Sequence, residues 1–557
     1  MKKNKSFLFA ILSVLSLSAL AGCNNKPIEE ESQEPKPLEI GDTVKEWTSS
    51  KDLEVSPINV TSVNNGEVIV NNDFGREDDS SLYCDVKTSS YIGSDSSLIE
   101  NKYFLERDAK NGDIISLWFY VEEDSNLASL QLQVFPISNN NPIKSTTFNI
   151  TDESLNEWHR LSVSFDTLET LGSIRLYYKP VSTAYSATFY VDDINITLGE
   201  ETVKTKYVSN DESLYKTYED YFKVGSCMSI NQVGNTEFRK IAKDNFNSIT
   251  AENEGKPEQI LDQQACQKLA REDQSAVAIK TTPFERIYNF CEANHIKVRH
   301  HTFVWYSQTP AWFFKVGYNQ NGANVSKDVM LGRMENFIKV TLETINERWP
   351  GLVYAIDVAN EAVDNGATRS NDNMWYTVVG KDFVYYAFKF ASEYKEEDQK
   401  LYYNDYSFDY NTNNCKYAVN TLLKQAIEEE LIDGVGIQGH IDSGSNLDVL
   451  INDAKMIKER GLECQITELD ITTNGTSTAE LNKQKKAYKD LLTKVLQNNA
   501  EEKTNITAVV VWGLTDDTSW KRNQNPLLFT SEYAKKPAYY GFLEAIECMQ
   551  TAEEEVE

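Results

Sequence analysis

The chain has 557 residues, of which 40% are hydrophobic and 11% aromatic, and this length predicts two folded domains with flanking tails. Its formal net charge of −30 argues against nucleic acid and polyanionic ligands, since both need a basic surface. Such a charge is typical of a protein that stays soluble outside the cell.

The N-terminus has the pattern of a targeting segment. Lys2, Lys3 and Lys5 precede an apolar run over 7–20, which is too short for a comfortable membrane span. The next residues, LAGC at 20–23, resemble a bacterial lipobox, which would place a lipid on Cys23. We expect a lipoprotein signal peptide over 1–23 and a protein anchored at the bacterial cell surface or on a membrane facing the periplasm. The alternative is an ordinary secretory signal with a chance cysteine.

Two acidic segments lie outside the folded regions. The stretch 24–42 is rich in Glu and Pro and predicts an extended linker, and 550–557 predicts a solvated tail. The chain has eight cysteines, and those other than Cys23 are odd in number, widely spaced and without a CxxC pair. This spacing predicts neither a disulfide framework nor a zinc site.

Short alternating runs separated by polar turns fill the region 43–200. The runs lie at 114–121, 130–135, 158–165, 174–178 and 187–194. Their period of two predicts an all-β sandwich, in which we expect Trp118 to be part of the core. The last run includes FYVDDI at 189–194, which resembles the final strand of jelly-roll carbohydrate-binding modules. The region is therefore a candidate module of this kind, and a spacer is the alternative.

The sequence pattern changes near residue 221, where short apolar runs begin to alternate with amphipathic helical segments. The helical segments include 331–348, 383–395, 417–430 and 479–498. Eight strand–helix units in this region predict an α/β domain over 205–549, folded as a (β/α)8 TIM barrel after the jelly-roll-like sandwich. The eight predicted strands lie at 224–230, 247–253, 297–305, 354–361, 400–406, 434–441, 463–471 and 508–515.

Polar and aromatic residues stand where these predicted strands end. Active sites of this fold lie at the C-terminal ends of the strands, so we expect these side chains to converge. They are Glu252, Asn253, His301, Trp305, Asn360, Glu361, Asn404, Asp405, Tyr406, Gln438, His440, Glu468, Asp470 and Trp512.

Two of these residues, Glu361 on strand four and Glu468 on strand seven, would face each other across the barrel mouth. A carboxylate that closes a buried strand costs free energy unless it is paired or used. Two such groups over one cleft are the apparatus for breaking a glycosidic bond, by a retaining or an inverting route. One of them must be neutral, and burial and the charge of its partner would raise its pKa.

The surrounding residues suit supporting roles. Asn360 would donate to a sugar 2-hydroxyl, and His440 with Asp470 would hold Glu468 in place and keep it ionised. Trp305, Trp512 and Trp520 offer flat apolar faces to sugar rings, although single Trp residues more often serve packing. The side chains expected to bind hydroxyl groups of neighbouring rings are Glu252, Asn253, Lys256 and Gln308.

Seven segments carry a family resemblance: FNSITAENE at 246–254, HTFVW at 301–305, NEA at 360–362, YYNDY at 402–406, GIQGHI at 436–441, ITELDI at 466–471 and WGLTDDTSW at 512–520. Taken together, they resemble glycoside hydrolase family 10, most of whose members are endo-β-1,4-xylanases. The resemblance covers about 221–547 and implies a retaining enzyme with Glu361 as acid/base and Glu468 as nucleophile, acting on xylan or xylo-oligosaccharides without metal or cofactor. It implies glycone subsites lined by Glu252, Asn253, Lys256, His301, Trp305, Gln308, Gln438, His440, Trp512 and Trp520.

Three positions depart from the family pattern. Tyr306 replaces a histidine and Ile356 replaces a tryptophan. The family's Asn-Glu-Met-Lys-Trp reads NEGKP at 253–257, so Pro257 also replaces a tryptophan. Both carboxylates remain, so these changes bear on substrate preference and rate rather than on the chemistry. The alternatives are a relative that acts on another β-glycan or an aryl glycoside, and a surface lipoprotein that binds glycans without cutting them. We expect a monomer.

Overall fold

The structure is a computed structural model that describes residues 43–49, 53, 66–86, 90–93, 112–136, 141–167, 169, 171–182, 185–199, 206–209 and 212–549. The predicted signal peptide with Cys23, the acidic linker at 24–42 and the tail at 550–557 lie outside these residues. Within the described ranges, every helix is too short or too polar to cross a bilayer. The predicted domain boundaries stay predictions.

The N-terminal region is a β-sandwich, as predicted. Its strands are β1 (Thr43–Trp47), β2 (Gly66–Asn71), β3 (Ser81–Val86), β4 (Ser90–Gly93), β5 (Asp113–Tyr120), β6 (Leu127–Pro136), β7 (Lys144–Asn149), β8 (Trp158–Phe165), β9 (Leu171–Pro180) and β10 (Ala187–Thr197). One antiparallel sheet has the order β2-β3-β10-β5-β8, with β1 beside β10, and the second has the order β4-β9-β6-β7.

The sandwich core follows from the alternation of side chains along each strand. Leu117 and Phe119 on β5, Leu132 on β6 and Phe189 on β10 are fully buried. The expectation that Trp118 belongs to this core is wrong, because it alternates with Leu117 and Phe119 and so lies on the outer face. There Trp118 is half-buried, and the Arg76 guanidinium covers it at 4.1 Å from the centre of the Trp118 ring.

The C-terminal region is a closed parallel barrel, which confirms the predicted fold class. Its strand order is β18-β17-β14-β13-β12-β11-β21-β20, and pairing of β18 with β20 closes the ring. A two-stranded hairpin, β15 (Val363–Asp364) and β16 (Ala367–Thr368), follows the fourth barrel strand. The barrel strands are β11 (Lys223–Met228), β12 (Ser248–Ala251), β13 (Lys297–Trp305), β14 (Val353–Asn360), β17 (Lys400–Asp405), β18 (Gly434–Ile437), β20 (Glu463–Thr472) and β21 (Ile506–Val511).

Helices surround the barrel, and several of them begin at a capping side chain. The Ser326 and Ser477 side chains accept hydrogen bonds from backbone N–H groups at the starts of α7 and α13. The α-helices are α1 (Leu214–Thr217), α2 (Ile230–Val233), α3 (Thr236–Asn245), α4 (Pro257–Ile260), α5 (Gln263–Leu269), α6 (Thr282–Ala293), α7 (Lys327–Arg348), α8 (Met374–Val379), α9 (Phe383–Tyr394), α10 (Thr412–Tyr417), α11 (Lys424–Glu428), α12 (Asp448–Lys458), α13 (Thr478–Ala500) and α14 (Pro537–Glu544).

Two predicted elements are interrupted. The helix predicted over 417–430 is divided, because a π-helical turn at Ala418–Leu422 separates α10 from α11. The sixth barrel strand, predicted over 434–441, ends at Ile437 and resumes as β19 (His440–Asp442), which pairs with the second half of β20. The break follows from Gly439, whose φ of +84° is incompatible with a continuous strand.

Candidate active site

A cavity of about 440 Å³ opens at the carboxyl ends of the barrel strands. Glu361, Glu468 and every residue predicted to bind substrate line it, so the structure brings the predicted set together. Asp470 lies behind this lining, in contact with His440. The residues that line the cavity are Glu252, Asn253, Lys256, His301, Trp305, Tyr306, Gln308, Asn360, Glu361, Tyr406, Asp409, Tyr410, Gln438, His440, Glu468, Trp512 and Trp520.

Glu361 directly follows β14 and is held from both sides. Its φ of +53° turns the chain out of the strand, and its backbone N–H donates to the Asn404 carbonyl at 2.8 Å. Oε2 accepts from the Trp305 indole at 2.9 Å, and Oε1 accepts from the Gln438 amide at 3.1 Å. Burial raises the pKa of Glu361, and the charges of Asp405 and Glu468 raise it further. The two hydrogen bonds lower it, and the result is a pKa of about 7. Glu361 therefore holds its proton over much of the acidic and neutral range.

Glu468 lies within β20, and its surroundings lower its pKa, in contrast to those of Glu361. Oε1 accepts from the Asn404 amide at 2.8 Å, and Oε2 lies 3.3 Å from Nε2 of His440. Burial alone would raise its pKa, but the hydrogen bond from His440 and the charges of His301, His440 and Lys256 outweigh burial and lower it. Glu468 is therefore an ionised carboxylate beside a neutral Glu361.

His440 links Glu468 to a second carboxylate. Its Nδ1 lies 2.8 Å from Oδ2 of Asp470, which also accepts from the Trp520 indole at 2.9 Å. Burial alone would lower the pKa of His440, but Asp470 and Glu468 raise it to about 10. Lys521 donates to the other oxygen of Asp470 at 2.8 Å. The ring is thus an imidazolium, and its positive charge lies next to the Glu468 carboxylate.

A network of amide side chains joins the two glutamates. Asn404 donates from one amide group to Glu468 at 2.8 Å and to Oδ1 of Asn360 at 3.0 Å. Gln438 also donates to Oδ1 of Asn360, at 3.4 Å. Because the Asn360 oxygen is engaged twice, its nitrogen is the atom that this residue offers to a ligand in the cavity, in line with the predicted bond to a sugar hydroxyl.

Lys256 organises the side of the cavity formed by the loops after β12 and β13. Its ammonium donates to Oδ1 of Asn253 at 2.9 Å and to Oε1 of Gln308 at 3.0 Å, and lies 4.9 Å from the centre of the Trp305 ring. Burial lowers the pKa of Lys256, opposed by the charges of Glu468 and Glu252. This cluster presents fixed polar groups around the Trp305 ring, as a sugar subsite requires.

His301 forms part of the cavity floor above a buried ion pair. Its Nδ1 lies 2.9 Å from Oδ2 of Asp357, and Arg299 donates to both oxygens of that carboxylate at 3.1 and 2.7 Å. Gln465 accepts from Nε of Arg299 at 2.7 Å. Burial alone would raise the pKa of Asp357, but Arg299 and His301 together lower it.

The three departures from the family pattern occupy different surroundings. Tyr306 lines the cavity, whereas Ile356 is fully buried in the barrel's hydrophobic core. Pro257 is the first residue of α4, where a backbone N–H has no partner within the helix, so its missing donor costs little. Only Tyr306 therefore has a direct route to a bound ligand.

Tyr306 is stacked against an arginine that the sequence did not reveal. The Arg369 guanidinium lies 4.3 Å from the centre of the Tyr306 ring and donates to the hydroxyl of Tyr406 at 3.1 Å. Arg369 also donates to the Glu361 carbonyl oxygen at 2.9 Å. A positive charge therefore stands beside the phenol that replaces the family's histidine.

Asn404 and Asp405 were expected at a strand end without a specific role. Asp405 closes β17 and accepts from Ser407, Val363 and the Tyr403 hydroxyl, and its charge acts on Glu361. No such pattern marked Arg369, Asp409 or Tyr410. Within the described part of the chain, no group of three or more His, Cys, Asp or Glu side chains is arranged to hold a metal ion.

Comparisons with known proteins agree with this arrangement. The sequence profile of glycosyl hydrolase family 10 matches residues 213–545. The chain is 41% identical over 337 residues to the bifunctional endo-1,4-β-xylanase XylA of Ruminococcus flavefaciens, covering 59% of this chain and 33% of that protein. It is 35% identical over 356 residues to endo-1,4-β-xylanase A of Caldicellulosiruptor saccharolyticus, covering 59% of this chain and 95% of that protein. The chain thus spans about a third of the longer relative.

Two solved structures are similar over different lengths. The CBM22-1 and GH10 modules of Clostridium thermocellum xylanase 10B, complexed with xylohexaose, superpose with a TM-score of 0.61 at 27% identity, covering 86% of this chain and 93% of that one. An intracellular xylanase of Thermoanaerobacterium saccharolyticum superposes with a TM-score of 0.53 at 30% identity, covering 60% of this chain and 99% of that one. Since the family profile spans more than half of the sequence, the chain belongs to glycosyl hydrolase family 10.

Proposed function

We propose that this chain is an endo-β-1,4-xylanase that hydrolyses internal bonds of xylan with retention of anomeric configuration. The observation that carries the proposal is the opposite protonation of two glutamates in one cavity. The pKa of Glu361 is raised to about 7, and that of Glu468 is lowered. A retaining double displacement needs this combination of a neutral acid and an ionised nucleophile.

In the first step a Glu468 oxygen attacks the anomeric carbon of the sugar. The bond from that carbon to the glycosidic oxygen breaks, and Glu361 transfers its proton to the departing oxygen. The products are a free leaving-group sugar, a covalent bond between the glycone and Glu468, and an ionised Glu361. The amide nitrogen of Asn360 donates to the sugar 2-hydroxyl as charge develops on the ring.

In the second step Glu361 acts as a base. Its carboxylate takes a proton from water, the water oxygen bonds to the anomeric carbon, and the bond to Glu468 breaks. The leaving Glu468 carboxylate is stabilised by the Asn404 amide and by the charge of His440. Both glutamates return to their starting protonation states, so the cycle balances without a metal or cofactor.

The choice of xylan rests on the relatives. Two curated relatives that are 41% and 35% identical are named as endo-1,4-β-xylanases, and a similar solved structure is a complex with xylohexaose. Clustered polar groups around Trp305 supply the hydroxyl-binding subsites that a chain of pyranose rings requires. Another β-glycan or an aryl glycoside is the alternative substrate, and relative rates on xylan, mixed-linkage glucan, cellulose and aryl xylosides decide between them.

Two variants test the mechanism. Glu468→Ala is expected to reduce kcat on xylan by more than about 10⁴-fold, because the covalent step is lost. Glu361→Ala is expected to lose about 10²–10⁴-fold on xylan but far less on an aryl xylobioside whose leaving group needs no proton. Glu532→Ala, which removes an exposed carboxylate outside the cavity, is the matched control.

Specific outcomes would contradict the proposal. Full activity of Glu468→Ala on xylan would remove the nucleophile assignment. Inversion at the anomeric carbon, followed by NMR of the first products, would remove the double displacement. Tight binding of xylohexaose by the wild-type protein without any hydrolysis would favour a non-catalytic glycan-binding protein instead.

The N-terminal targeting and the sandwich complete the proposal. A lipid on Cys23 anchors the protein to the bacterial surface or a periplasm-facing membrane, supported by the LAGC segment at 20–23. Loss of metabolic lipid labelling and of membrane association in Cys23→Ser tests this.

The sandwich binds glycan, supported by the similarity to a structure that contains a CBM22-1 module. Retardation of the full chain carrying Glu468→Ala in xylan gels, compared with plain gels, tests that role.

A further inference from the structure

A three-residue segment, Gln438-Gly439-His440, contacts both catalytic glutamates. The Gln438 side chain donates to Oε1 of Glu361 at 3.1 Å, and its carbonyl oxygen accepts from the backbone N–H of Glu468 at 2.8 Å. Nε2 of His440 lies 3.3 Å from Oε2 of Glu468. Any displacement of this segment therefore alters the surroundings of the acid/base and of the nucleophile together.

The segment is a turn between β18 and β19, and one buried side chain, that of Asp409, accepts hydrogen bonds from two of its backbone N–H groups. Oδ1 of Asp409 accepts from the backbone N–H of Gly439, and Oδ2 accepts from that of His440, each at 2.7 Å. The glycine has a φ of +84°, and a Cβ there would lie 3.0 Å from a methyl carbon of Ile466. Asp409 is 6% exposed, so water contributes little to satisfying these two N–H groups.

We propose that Asp409 is a positioning residue for both catalytic glutamates, because it fixes the turn that delivers Gln438 to Glu361 and His440 to Glu468. The proposal rests on the proposed glycosidase mechanism. Asp409 acts through the turn and does not enter either chemical step.

The chemistry of a carboxylate explains why an aspartate stands here. Two adjacent backbone N–H groups point to the same side chain, and a carboxylate offers an acceptor to each of them. An asparagine at this position would offer one acceptor and place its NH2 group against the second N–H. An alanine would leave both buried donors without an acceptor, which costs free energy and releases the turn.

The proposal predicts a particular change in the pH profile. Loss of the Gln438 donor raises the pKa of Glu361, since that bond lowers it, and loss of His440 from its place raises the pKa of Glu468 for the same reason. Both limbs of the profile of kcat/KM then move to higher pH together. The titratable groups that face Asp409, Glu361 or Glu468 are His440, Asp470, Asp453, Tyr410, Tyr406, Asp405, Tyr403, Tyr306, Lys256, Glu252, Cys227 and His301.

The experiment compares Asp409→Ala, Asp409→Asn and wild type in the full chain, with kcat and kcat/KM measured against pH on an aryl β-xylobioside. We expect kcat to fall about 10²-fold in Asp409→Ala, as misplacement of catalytic groups produces, and by less in Asp409→Asn. In both variants, the acidic and the basic limb of the kcat/KM profile should move to higher pH. If Asp409→Ala does not fold, Asp409→Asn supplies the same comparison.

Asp192→Asn is the matched control. Asp192 is a buried aspartate on β10 that, like Asp409, accepts from two backbone N–H groups, those of Arg76 and Asp193, each at 2.7 Å, and it lies outside the lining of the cavity. Its profile should keep both limbs in place.

Two results would overturn the proposal. One is an Asp409→Asn protein with wild-type activity; the other is a loss of activity that leaves both limbs unmoved, as a purely structural role would give. An inactive wild-type protein on xylan would count against the proposed substrate instead, because the profile is defined on any glycoside that the wild type hydrolyses.

Discussion

Nε2 of His440 lies 3.3 Å from Oε2 of Glu468, and the histidine, whose pKa is raised to about 10, is positively charged at neutral pH. Asp470 on the far side of the ring keeps the proton on the histidine, as its Nδ1 contact of 2.8 Å indicates. The positive charge that keeps Glu468 ionised is thus supported from the same strand, since Asp470 stands two residues after Glu468 on β20. This pairing explains how a fully buried carboxylate has a lowered pKa.

Replacing this histidine should shift the acidic limb of the pH profile. His440→Ala removes the largest influence that lowers the pKa of Glu468, so that pKa rises and activity begins to fall at a higher pH on acidification. We expect kcat to drop about 10²-fold at neutral pH, because a charge that stabilises the leaving carboxylate is lost. The measurement is kcat/KM against pH, with the exposed His295→Ala as control. An unchanged acidic limb would refute the role given to His440.

Asp405 should instead influence the pH at which activity falls on the basic side of the pH profile. After burial, its charge is the largest influence that raises the pKa of Glu361, so Asp405→Asn lowers that pKa. Because the first step needs protonated Glu361, activity should then decline at a lower pH on the basic side. Asp372→Asn, an exposed aspartate outside the cavity, should leave the limb in place. A basic limb that moves upward in Asp405→Asn would contradict the assignment.

Arg369 should support activity through Tyr306 and Glu361. Arg369→Ala removes the stacking contact at 4.3 Å and the bonds to the Glu361 carbonyl and the Tyr406 hydroxyl. We expect kcat/KM on xylohexaose to fall about tenfold, and by less in Arg369→Lys, which keeps charge without the planar stack.

The control for this change is Arg348→Ala. Arg348 stacks on Trp349 at 4.6 Å, outside the cavity, so its loss should leave kcat/KM unchanged. Equal losses in Arg369→Ala and Arg348→Ala would show a general stability effect.

The buried pair of Arg299 and Asp357 should dominate the stability of the barrel floor. Asp357→Ala leaves the guanidinium buried without its partner, so we expect the free energy of unfolding to fall by about 3–5 kcal/mol. Glu428→Ala, which breaks an exposed pair with Lys424, should cost less than about 1 kcal/mol. Denaturant unfolding of both variants measures this difference.

The same pair has a defined pH dependence. The pKa of Asp357 is lowered in the folded state, so its stabilising contribution is present above the ordinary value of 3.8 and is lost as pH falls through the lowered folded value. The gap in stability between wild type and Asp357→Ala should therefore narrow at strongly acidic pH. A gap that widens on acidification would contradict this sign.

The barrel and most of its site were predictable because the signals are local. Strand periodicity and strand ends are properties of short segments, and β13 spans 297–305 as predicted. The interruption of the sixth strand at Gly439 and the division of the helix at 417–430 were missed. The strand break depends on the surroundings of the turn, including Asp409, which lies thirty positions away in the chain.

The sequence by itself determined the fold class, the family and the two glutamates, because alternation, strand count and residue type need no knowledge of distant contacts. Only the tertiary structure showed the physical reason that Glu361, and not Glu468, keeps its proton, as the family resemblance had implied. That choice depends on Asp405 beside Glu361 and on His440 beside Glu468, groups that separate strands bring together within a few ångströms in a buried cavity. The contact of Arg369 with Tyr306 likewise joins positions that no local pattern connects. Electrostatic influence falls with distance through space, and folding alone sets that distance.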